Sequence, residues 1–243
     1  MRIMRLGVMQ PYFLPYLGYW QLIGAVDKFI LYDDVAFKKG GWVNRNRIMV
    51  NQRPQFLTVA LREASQNRRI CEISLQDSEY NRAKVAKTIY YAYRRSPYFD
   101  QVFPTIDAIV RYRDNALTAY LEFGIRAICA LLDIRTEVTS SARSYDNRGL
   151  RGEARILDIC RQERADVYVN AIGGRDLYDA GTFRAEGVRL LFLRMRPIGD
   201  SDQVGAVDPY LSIVDTLMRL GPARVREQLS RFDFLSAEEA HVS

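Results

Sequence analysis

The first 32 residues constrain the fold most, because they alternate two short apolar runs with one amphipathic segment. Residues 5–9 and 29–32 are apolar runs of strand length, and polar residues or proline follow each of them. Residues 15–27 place apolar side chains at the spacing of a helix with one buried face. A strand, a helix and a second strand in this order form the βαβ unit of a parallel sheet. We therefore predict an α/β protein.

The rest of the chain predicts more elements around this unit. Further strands are predicted at 51–61, 70–75, 135–140, 167–170 and 188–195. Further helices are predicted at 81–95, 98–111, 115–132, 153–164, 182–186, 211–220 and 222–232. The first two of these strands flank a polar turn and are candidates for a hairpin. We predict an open, mostly parallel, Rossmann-like sheet in a single domain over 1–235, with a helical insertion at about 81–132 and a flexible C-terminal tail at 236–243.

Histidine is nearly absent, and this excludes several common mechanisms. His241 is the only one and lies close to the C-terminus. Serine–histidine and cysteine–histidine nucleophiles and histidine-ligated metals each need a held imidazole. Any acid or base is therefore expected to be Asp, Glu, Lys, Tyr or Cys. Cys71, Cys129 and Cys160 are widely spaced, which predicts neither disulfides nor a zinc site.

The net charge of +6 and the isoelectric point near 9.3 favour an anionic partner, such as a small-molecule or nucleotide-linked substrate. A solvated basic surface explains the same charge equally well. No RNA- or DNA-binding signature is present, so nucleic acid is the less favoured partner, with tRNA left open. The chain has neither a signal-peptide pattern nor an apolar run long enough to span a bilayer. We expect a cytoplasmic protein.

The first candidate loop, residues 10–19, joins the first strand to the helix and contains two prolines and a glycine. In an open parallel sheet, ligands bind at the carboxyl ends of the strands, and a helix N-terminus there can hold an anion. The alternative is a rigid connection with no ligand. The candidate substrate-binding residues are Gln10, Pro11, Tyr12, Tyr16, Gly18 and Tyr19.

The second candidate loop, residues 33–47, combines two carboxylates with several basic residues. Carboxylates can act as a base or hold a metal, and basic side chains hold anionic groups. Adjacent strand residues point to opposite faces, so at most one carboxylate is expected to face a ligand. The alternative is a set of surface ion pairs. The candidate catalytic residues are Asp33, Asp34 and Lys39, and the candidate substrate-binding residues are Trp42, Asn44, Arg45, Asn46 and Arg47.

The third candidate loop, residues 170–178, also follows a predicted strand. Its two glycines let the backbone approach a ligand, and its arginine can pair with the ligand's charge. We expect this loop to close the same site from the far half of the sheet. The candidate substrate-binding residues are Asn170, Gly173, Gly174, Arg175 and Tyr178. No metal is assigned to any loop, and the pattern does not identify a cofactor.

Together, these segments resemble the WbqC-like family of bacterial proteins over nearly the whole chain. The resemblance rests on Gln10-Pro11-Tyr12, Pro15 to Tyr19, Asp33-Asp34-Val35 with Phe37 and Lys39, Trp42 with Asn44 to Ile48, Asn170 to Gly174 with Leu177-Tyr178, and Leu211 to Ile213 with Asp215. Ala36 departs from the pattern, in which a polar residue, often glutamine, follows Asp-Asp-Val.

That resemblance implies an enzyme of surface-polysaccharide (O-antigen) or small-molecule biosynthesis. We expect a transferase that moves an acyl or aminoacyl group to an amino group of a nucleotide sugar or related metabolite. Asp33 or Asp34 would act as the base. The donor would be held by Lys39, Arg45 and Arg47, and the other substrate would be oriented by Gln10, Tyr12 and Tyr19.

Two other functions remain open. Tyr16-Leu-Gly-Tyr19 lies where nucleotidylyltransferases carry a His-x-Gly-His loop, which suggests a nucleotidylyltransferase-like fold. An ATP-dependent ligase or nucleotidyltransferase-like enzyme would place Gly18 and the following helix on the phosphates and an aspartate on Mg²⁺. A non-catalytic binding or scaffold protein would instead use Trp42 and the tyrosines as contacts.

Overall fold

The computed structural model describes residues 3–76, 79–196, 198 and 207–242, with only the backbone of 241 and 242. The strands are β1 (Arg5–Met9), β2 (Lys28–Leu31), β3 (Arg45–Val50), β4 (Arg53–Thr58), β5 (Leu61–Arg62), β6 (Ser74–Leu75), β7 (Glu137–Thr139), β8 (Val167–Ala171), β9 (Arg189–Met195) and β10 (Phe232–Leu235). The helices are α1 (Leu17–Gly24), α2 (Glu79–Tyr93), α3 (Phe99–Val110), α4 (Leu117–Leu131), α5 (Gly152–Glu163), α6 (Ala180–Ala185), α7 (Ile213–Gln228) and α8 (Ala237–Val242).

The central sheet has six strands in the order β10-β9-β8-β1-β2-β7. All neighbouring strands are parallel except β10, which is antiparallel to β9. The chain moves outward from β1 to β2 and β7, and then crosses back to β8 and β9. The strand order therefore reverses between β1 and β8, which is where open sheets of this kind bind ligands. This arrangement confirms the predicted mostly parallel, Rossmann-like sheet.

Both faces of the sheet are covered by helices, as the continuous apolar strands require. Leu6 and Val8 of β1 point into a smaller core that includes residues of α5 and α6. Phe29 and Leu31 of β2 point into a larger core shared by α1 and α7. The helices α2, α3 and α4 correspond to the three helices predicted between residues 81 and 132, and they contribute buried side chains to that same larger core.

The structure differs from the sequence-based prediction in the first hairpin. Residues 45–47, predicted as the end of a loop, and residues 48–50, for which no element was predicted, form β3. This strand pairs with β4 in register from Arg45–Thr58 to Val50–Arg53. Its burial alternates at Asn46 and Ile48, which is the two-residue period of a strand. The predicted pairing across the polar turn is limited to the short strands β5 and β6.

The C-terminal region agrees with the prediction only in part. The predicted break between its two helices falls at Gly221, where α7 has non-helical φ and ψ angles. This glycine has a φ of +77°, and the ring of Tyr98 occupies the space that a side chain would need. Residues 232–235 form β10, although the last predicted helix ended at Phe232 and no strand was predicted after it. Residues predicted as a flexible tail form α8, in which Ala240 is fully buried.

Candidate functional site

The first loop is held in a strained conformation by polar contacts from distant parts of the chain. Leu14 has a φ of +44°, which a non-glycine residue adopts only under constraint. Its carbonyl accepts hydrogen bonds from Asn46 Nδ2 at 2.8 Å and from Ser212 Oγ at 2.7 Å. The backbone N–H of Ile213 donates to the carbonyl of Pro15 at 2.9 Å. The β3 strand and the start of α7 therefore fix the shape of this loop.

The first two loops form a cavity of about 230 Å³. Its lining residues are Tyr12, Pro15, Tyr16, Trp42, Asn46, Arg47 and Tyr210. The rings of Tyr16 and Tyr210 stack with centroids 6.1 Å apart, and Trp42 is 41% exposed. Five of the predicted binding residues therefore meet in one place, together with Tyr210, which the sequence-based prediction missed.

Arg47 supplies the positive charge of this cavity. Its guanidinium carbon lies 5.9 Å from the centroid of the Trp42 ring. The Nε atom is buried and has no hydrogen-bond partner, and the described part of the chain places no carboxylate within ion-pairing distance of this guanidinium. A buried donor without a partner costs about 1–3 kcal/mol, so a ligand acceptor here is favoured.

Two tyrosine hydroxyls of the cavity stay protonated at neutral pH. Burial is the main cause that raises the pKa of Tyr16 to about 12, and the nearby Tyr12 and Tyr210 add to it. Burial also raises the pKa of Tyr12. Both hydroxyls can therefore donate hydrogen bonds to an acceptor in the cavity, but neither is suited to act as a base.

Other predicted binding residues of the first two loops support the structure instead. Asn44 donates to the carbonyl of Val59 at 3.0 Å and holds together the open end of the β3–β4 hairpin. Arg45 donates to the carbonyls of Gly40 and Gly41 and lies over the Phe56 ring. Lys39 is exposed in the turn that precedes β3. None of the three lines the cavity.

The beginning of α1 is covered by aromatic rings. A side chain at Gly18 would lie 2.5 Å from the Tyr16 ring, so the glycine makes room for that ring. Tyr19 is buried, and its hydroxyl donates to the carbonyl of Gln10 at 3.0 Å. Pro11 is buried beside them. This packing explains why position 18 is glycine. It does not favour contact between Gly18 and a phosphate group.

Asp33 is fully buried at the carboxyl end of β2. It accepts hydrogen bonds from Ser141 Oγ at 2.6 Å and from Thr118 Oγ1 at 3.1 Å, and Arg143 Nε lies 3.7 Å away. Burial is the main cause that raises the pKa of Asp33, while the two hydrogen bonds and the Arg143 charge oppose that shift. This carboxylate is the closest to a general base that the second loop offers.

Asp34 contacts different partners from Asp33. Its Oδ2 atom forms a buried ion pair with Arg155 of α5 at 2.6 Å, and Arg155 lies over the Tyr32 ring at 5.0 Å. Arg155 also donates to Asn147 at 3.0 Å. Removing one partner of such a buried ion pair leaves an uncompensated charge in the interior, so this geometry favours a structural role for Asp34.

The third loop begins at the end of β8, next to the point where the strand order reverses. Asn170 is buried and donates to the Tyr168 hydroxyl at 3.3 Å, and the Tyr178 hydroxyl lies 3.3 Å from that same oxygen. Gly174 leaves room for the Asn170 amide, whereas Gly173 and Arg175 retain exposed surface. No residue of 170–178 lines the cavity of the first two loops.

No local pattern in the sequence marks several of the residues that surround the two carboxylates. Thr118, Ser141, Arg143 and Arg155 lie between 85 and 121 positions from the aspartates they contact. Only the fold brings them to the carboxyl end of β2. In the described part of the chain, no three His, Cys, Asp or Glu side chains are arranged to hold a metal ion. Among the same residues, no helix is both long and apolar enough to cross a membrane.

Comparison with known proteins identifies the family. A profile of the WbqC-like protein family matches residues 10–227. An uncharacterized protein of Mycobacterium tuberculosis is 27% identical over 221 residues, which is 89% of this chain and 94% of that relative. No solved structure matches. Because the family profile covers well over half of the sequence, the chain belongs to the WbqC-like family.

Proposed function

We propose that this protein is a transferase that moves an acyl or aminoacyl group to an amino group of a nucleotide-linked sugar or related metabolite. The observation that supports this proposal most strongly is Arg47, a cation with a buried and unpartnered Nε atom in an aromatic cavity. Arginine without a carboxylate partner suits a phosphate or carboxylate group of a ligand. The exposed Trp42 ring and the Tyr16–Tyr210 stack suit the planar base or the sugar ring beside it.

The size of the cavity limits what it holds. Drug-sized ligands occupy sites of roughly 300–1,000 Å³. The cavity, at about 230 Å³, therefore accommodates one segment of a nucleotide-linked substrate, and the rest lies outside it. Hydroxyl donors from Tyr12 and Tyr16 and the Arg47 guanidinium would orient this segment.

Asp33 is the proposed general base, acting through Ser141. In acyl transfer, the amine nitrogen forms a bond to the acyl carbon, and the bond from that carbon to its carrier breaks. The amine proton would pass to Ser141 Oγ as the serine proton passes to Asp33 Oδ1, 2.6 Å away, and the departing carrier would take it up. The raised pKa of Asp33 makes it a better proton acceptor than an ordinary carboxylate.

Titration calorimetry tests the binding step. Uridine- and thymidine-diphosphate amino sugars serve as probes, and magnesium–ATP serves as the probe for the ligase alternative. We expect an amino-sugar nucleotide to bind and Arg47→Ala to weaken this binding at least tenfold. The matched control is Arg53→Ala, since Arg53 is an exposed arginine of the same hairpin. Equal binding by the Arg47→Ala variant, or binding of ATP alone, would contradict the proposal.

Product formation tests the transfer step. With an amino-sugar nucleotide that binds and a supply of activated acyl donors, mass spectrometry should detect the acylated sugar. Asp33→Asn should lower the rate by about 10²–10⁴-fold, the usual contribution of a general base, while leaving binding intact. Full activity in the Asp33→Asn variant would exclude this residue as the base.

A further inference from the structure

One face of α2 carries exposed aromatic and basic side chains in a single row. Residues spaced by three or four positions lie on the same side of a helix. We call this row the α2 row; its members are Tyr80, Lys84, Lys87 and Tyr91 of α2 and Arg94, which follows the helix directly and donates its N–H to the carbonyl of Tyr90. The opposite side of the helix is buried at Val85, Ile89 and Tyr93. The row is therefore the solvent-facing side of a packed helix.

The α2 row carries three cationic side chains, Lys84, Lys87 and Arg94, and no acidic one. Residues 80–95 contain five basic residues and no acidic one. Glu79 precedes them and pairs at 3.0 Å with Arg111, the residue that follows α3. In the part of the chain that the structure describes, Lys84, Lys87 and Arg94 form no ion pair. Surface cations that serve only solubility are usually interspersed with acids, which is not the case here.

The tyrosines of the row are held with their rings exposed. Tyr80 is 74% exposed and Tyr91 is 57% exposed. Lys87 Nζ lies 5.8 Å and Arg94 Cζ lies 5.3 Å from the centroid of the Tyr91 ring. These cation–π contacts restrict the ring before any partner binds.

A groove continues the row beyond the end of the helix. It has a volume of about 560 Å³ and is lined by Tyr91, Arg94, Arg95, the Asn51-Gln52 turn and Arg219, among others. Asn51 and Gln52 have φ values of +49° and +60°, so this turn has a defined backbone conformation. The groove extends the same combination of a tyrosine ring and arginine side chains.

We propose that the α2 row and this groove bind a single-stranded nucleic acid. Such strands bind where aromatic rings stack on bases and cations contact the backbone phosphates, with little sequence preference. Arg94 lies fourteen positions after Tyr80. At a helical rise of 1.5 Å per residue, the row is about 21 Å long. At about 3.4 Å per nucleotide step, this length matches roughly six nucleotides. This proposal rests on different residues from the cavity and does not depend on its function.

Fluorescence anisotropy with a labelled single-stranded RNA of about ten nucleotides tests the proposal, with single-stranded DNA and duplex RNA as comparison probes. The Lys87→Ala/Arg94→Ala variant should bind at least tenfold more weakly. When the logarithm of the binding constant is plotted against the logarithm of the salt concentration, the slope for this variant should be shallower by about 1.4. Each of the two lost phosphate contacts reduces the slope by about 0.7. Tyr91→Ala should weaken binding at least fivefold, whereas Tyr91→Phe should retain it because phenylalanine still stacks.

The control variant is Arg113→Ala/Arg189→Ala, which removes two exposed arginines elsewhere and changes the net charge equally. It should bind as the wild type does, and circular dichroism should show that all variants are folded. Three results would overturn the proposal: no RNA binding at low salt, equal weakening by the control variant, or equal competition by polyglutamate, which would indicate an acidic protein as the partner.

Discussion

At the scale of single residues, adjacent side chains of identical chemistry have different environments. Asp33 and Asp34 follow the same strand, but they point to opposite faces of the sheet and contact different helices. The alternation was predictable from the sequence. The partners were not, since Thr118 and Arg155 are each more than eighty positions away, and no local pattern marks them.

Removal of the Asp34 carboxylate should destabilise the fold. Asp34→Ala leaves the buried Arg155 guanidinium without its ion-pair partner, which costs about 3–5 kcal/mol. Urea denaturation measures this loss in the free energy of unfolding. The control is Arg135→Ala, which breaks an exposed pair with Asp133 and should cost less than about 1 kcal/mol. Similar losses in the two variants would show that the buried pair is not stabilising.

Asp33 should give the fold a measurable pH dependence. Its pKa in the folded state lies above the ordinary value of 3.8, so the unfolded state loses the proton first as pH rises. This group's contribution to stability is therefore complete below 3.8 and declines as pH rises toward the folded-state pKa. Asp33→Asn cannot ionise, and its stability relative to the wild type should improve over that range.

Urea denaturation at several pH values provides this comparison. The amide of the Asp33→Asn variant accepts one hydrogen bond fewer than the carboxylate. This loss changes the stability of the variant by the same amount at every pH. The informative quantity is therefore the slope of the difference with pH rather than its size. Asp146→Asn, at an exposed position, provides the matched change of charge. If Asp33→Asn and Asp146→Asn show the same slope, the raised pKa of Asp33 is not supported.

At the scale of elements, the periodic segments were predictable and the irregular ones were not. The three helices of the insertion lie within two residues of their predicted ends, because each has a clear apolar face. The β3 strand was missed because its polar residues resemble a loop, although its alternating burial and the following turn are strand features. Three residues separate the short β10 strand from α7, and its four residues are too few for their apolar pattern to distinguish a strand from a helix.

The β3 strand shapes the first loop chiefly through one side chain. Asn46 Nδ2 donates to the carbonyls of Phe13 and Leu14, and its Oδ1 accepts from the N–H of Arg47. Asn46→Asp keeps the acceptor but removes both donated bonds, and it places a negative charge next to two carbonyls. We expect a loss of about 1–3 kcal/mol in the free energy of unfolding.

Amide hydrogen exchange identifies the part of the chain that this substitution destabilises. The backbone amides of Tyr12, Phe13, Leu14 and Tyr16 should exchange faster in the Asn46→Asp variant, because the strained backbone at Leu14 is no longer constrained. Asn67→Asp, in an exposed turn, should leave their exchange unchanged. Unchanged exchange at these four amides in Asn46→Asp would mean that Ser212 alone is sufficient to hold the loop.

At the scale of the whole molecule, the sheet topology determines which candidate residues meet. The first two loops share the cavity because Asn46 and Trp42 contact the first loop directly. The third loop packs with Tyr168 in the smaller core, whereas Phe13 and Tyr19 of the first loop lie in the larger one. Sequence position predicted that all three loops lie at the carboxyl ends of strands, but it could not show which side of the sheet each one covers.

The larger core predicts that the inserted helices and the sheet unfold together. Ile109 of α3 and Ile128 of α4 are buried in the same core as Leu17 of α1 and Phe29 of β2. Ile109→Ala should cost about 2–5 kcal/mol, as for other truncations of buried aliphatic side chains, and should preserve a single cooperative transition. The fluorescence of the buried Trp20, outside the insertion, should report this loss as fully as circular dichroism. A Trp20 signal that keeps its wild-type midpoint while the helical signal melts earlier would show instead that the insertion is an independent folding unit.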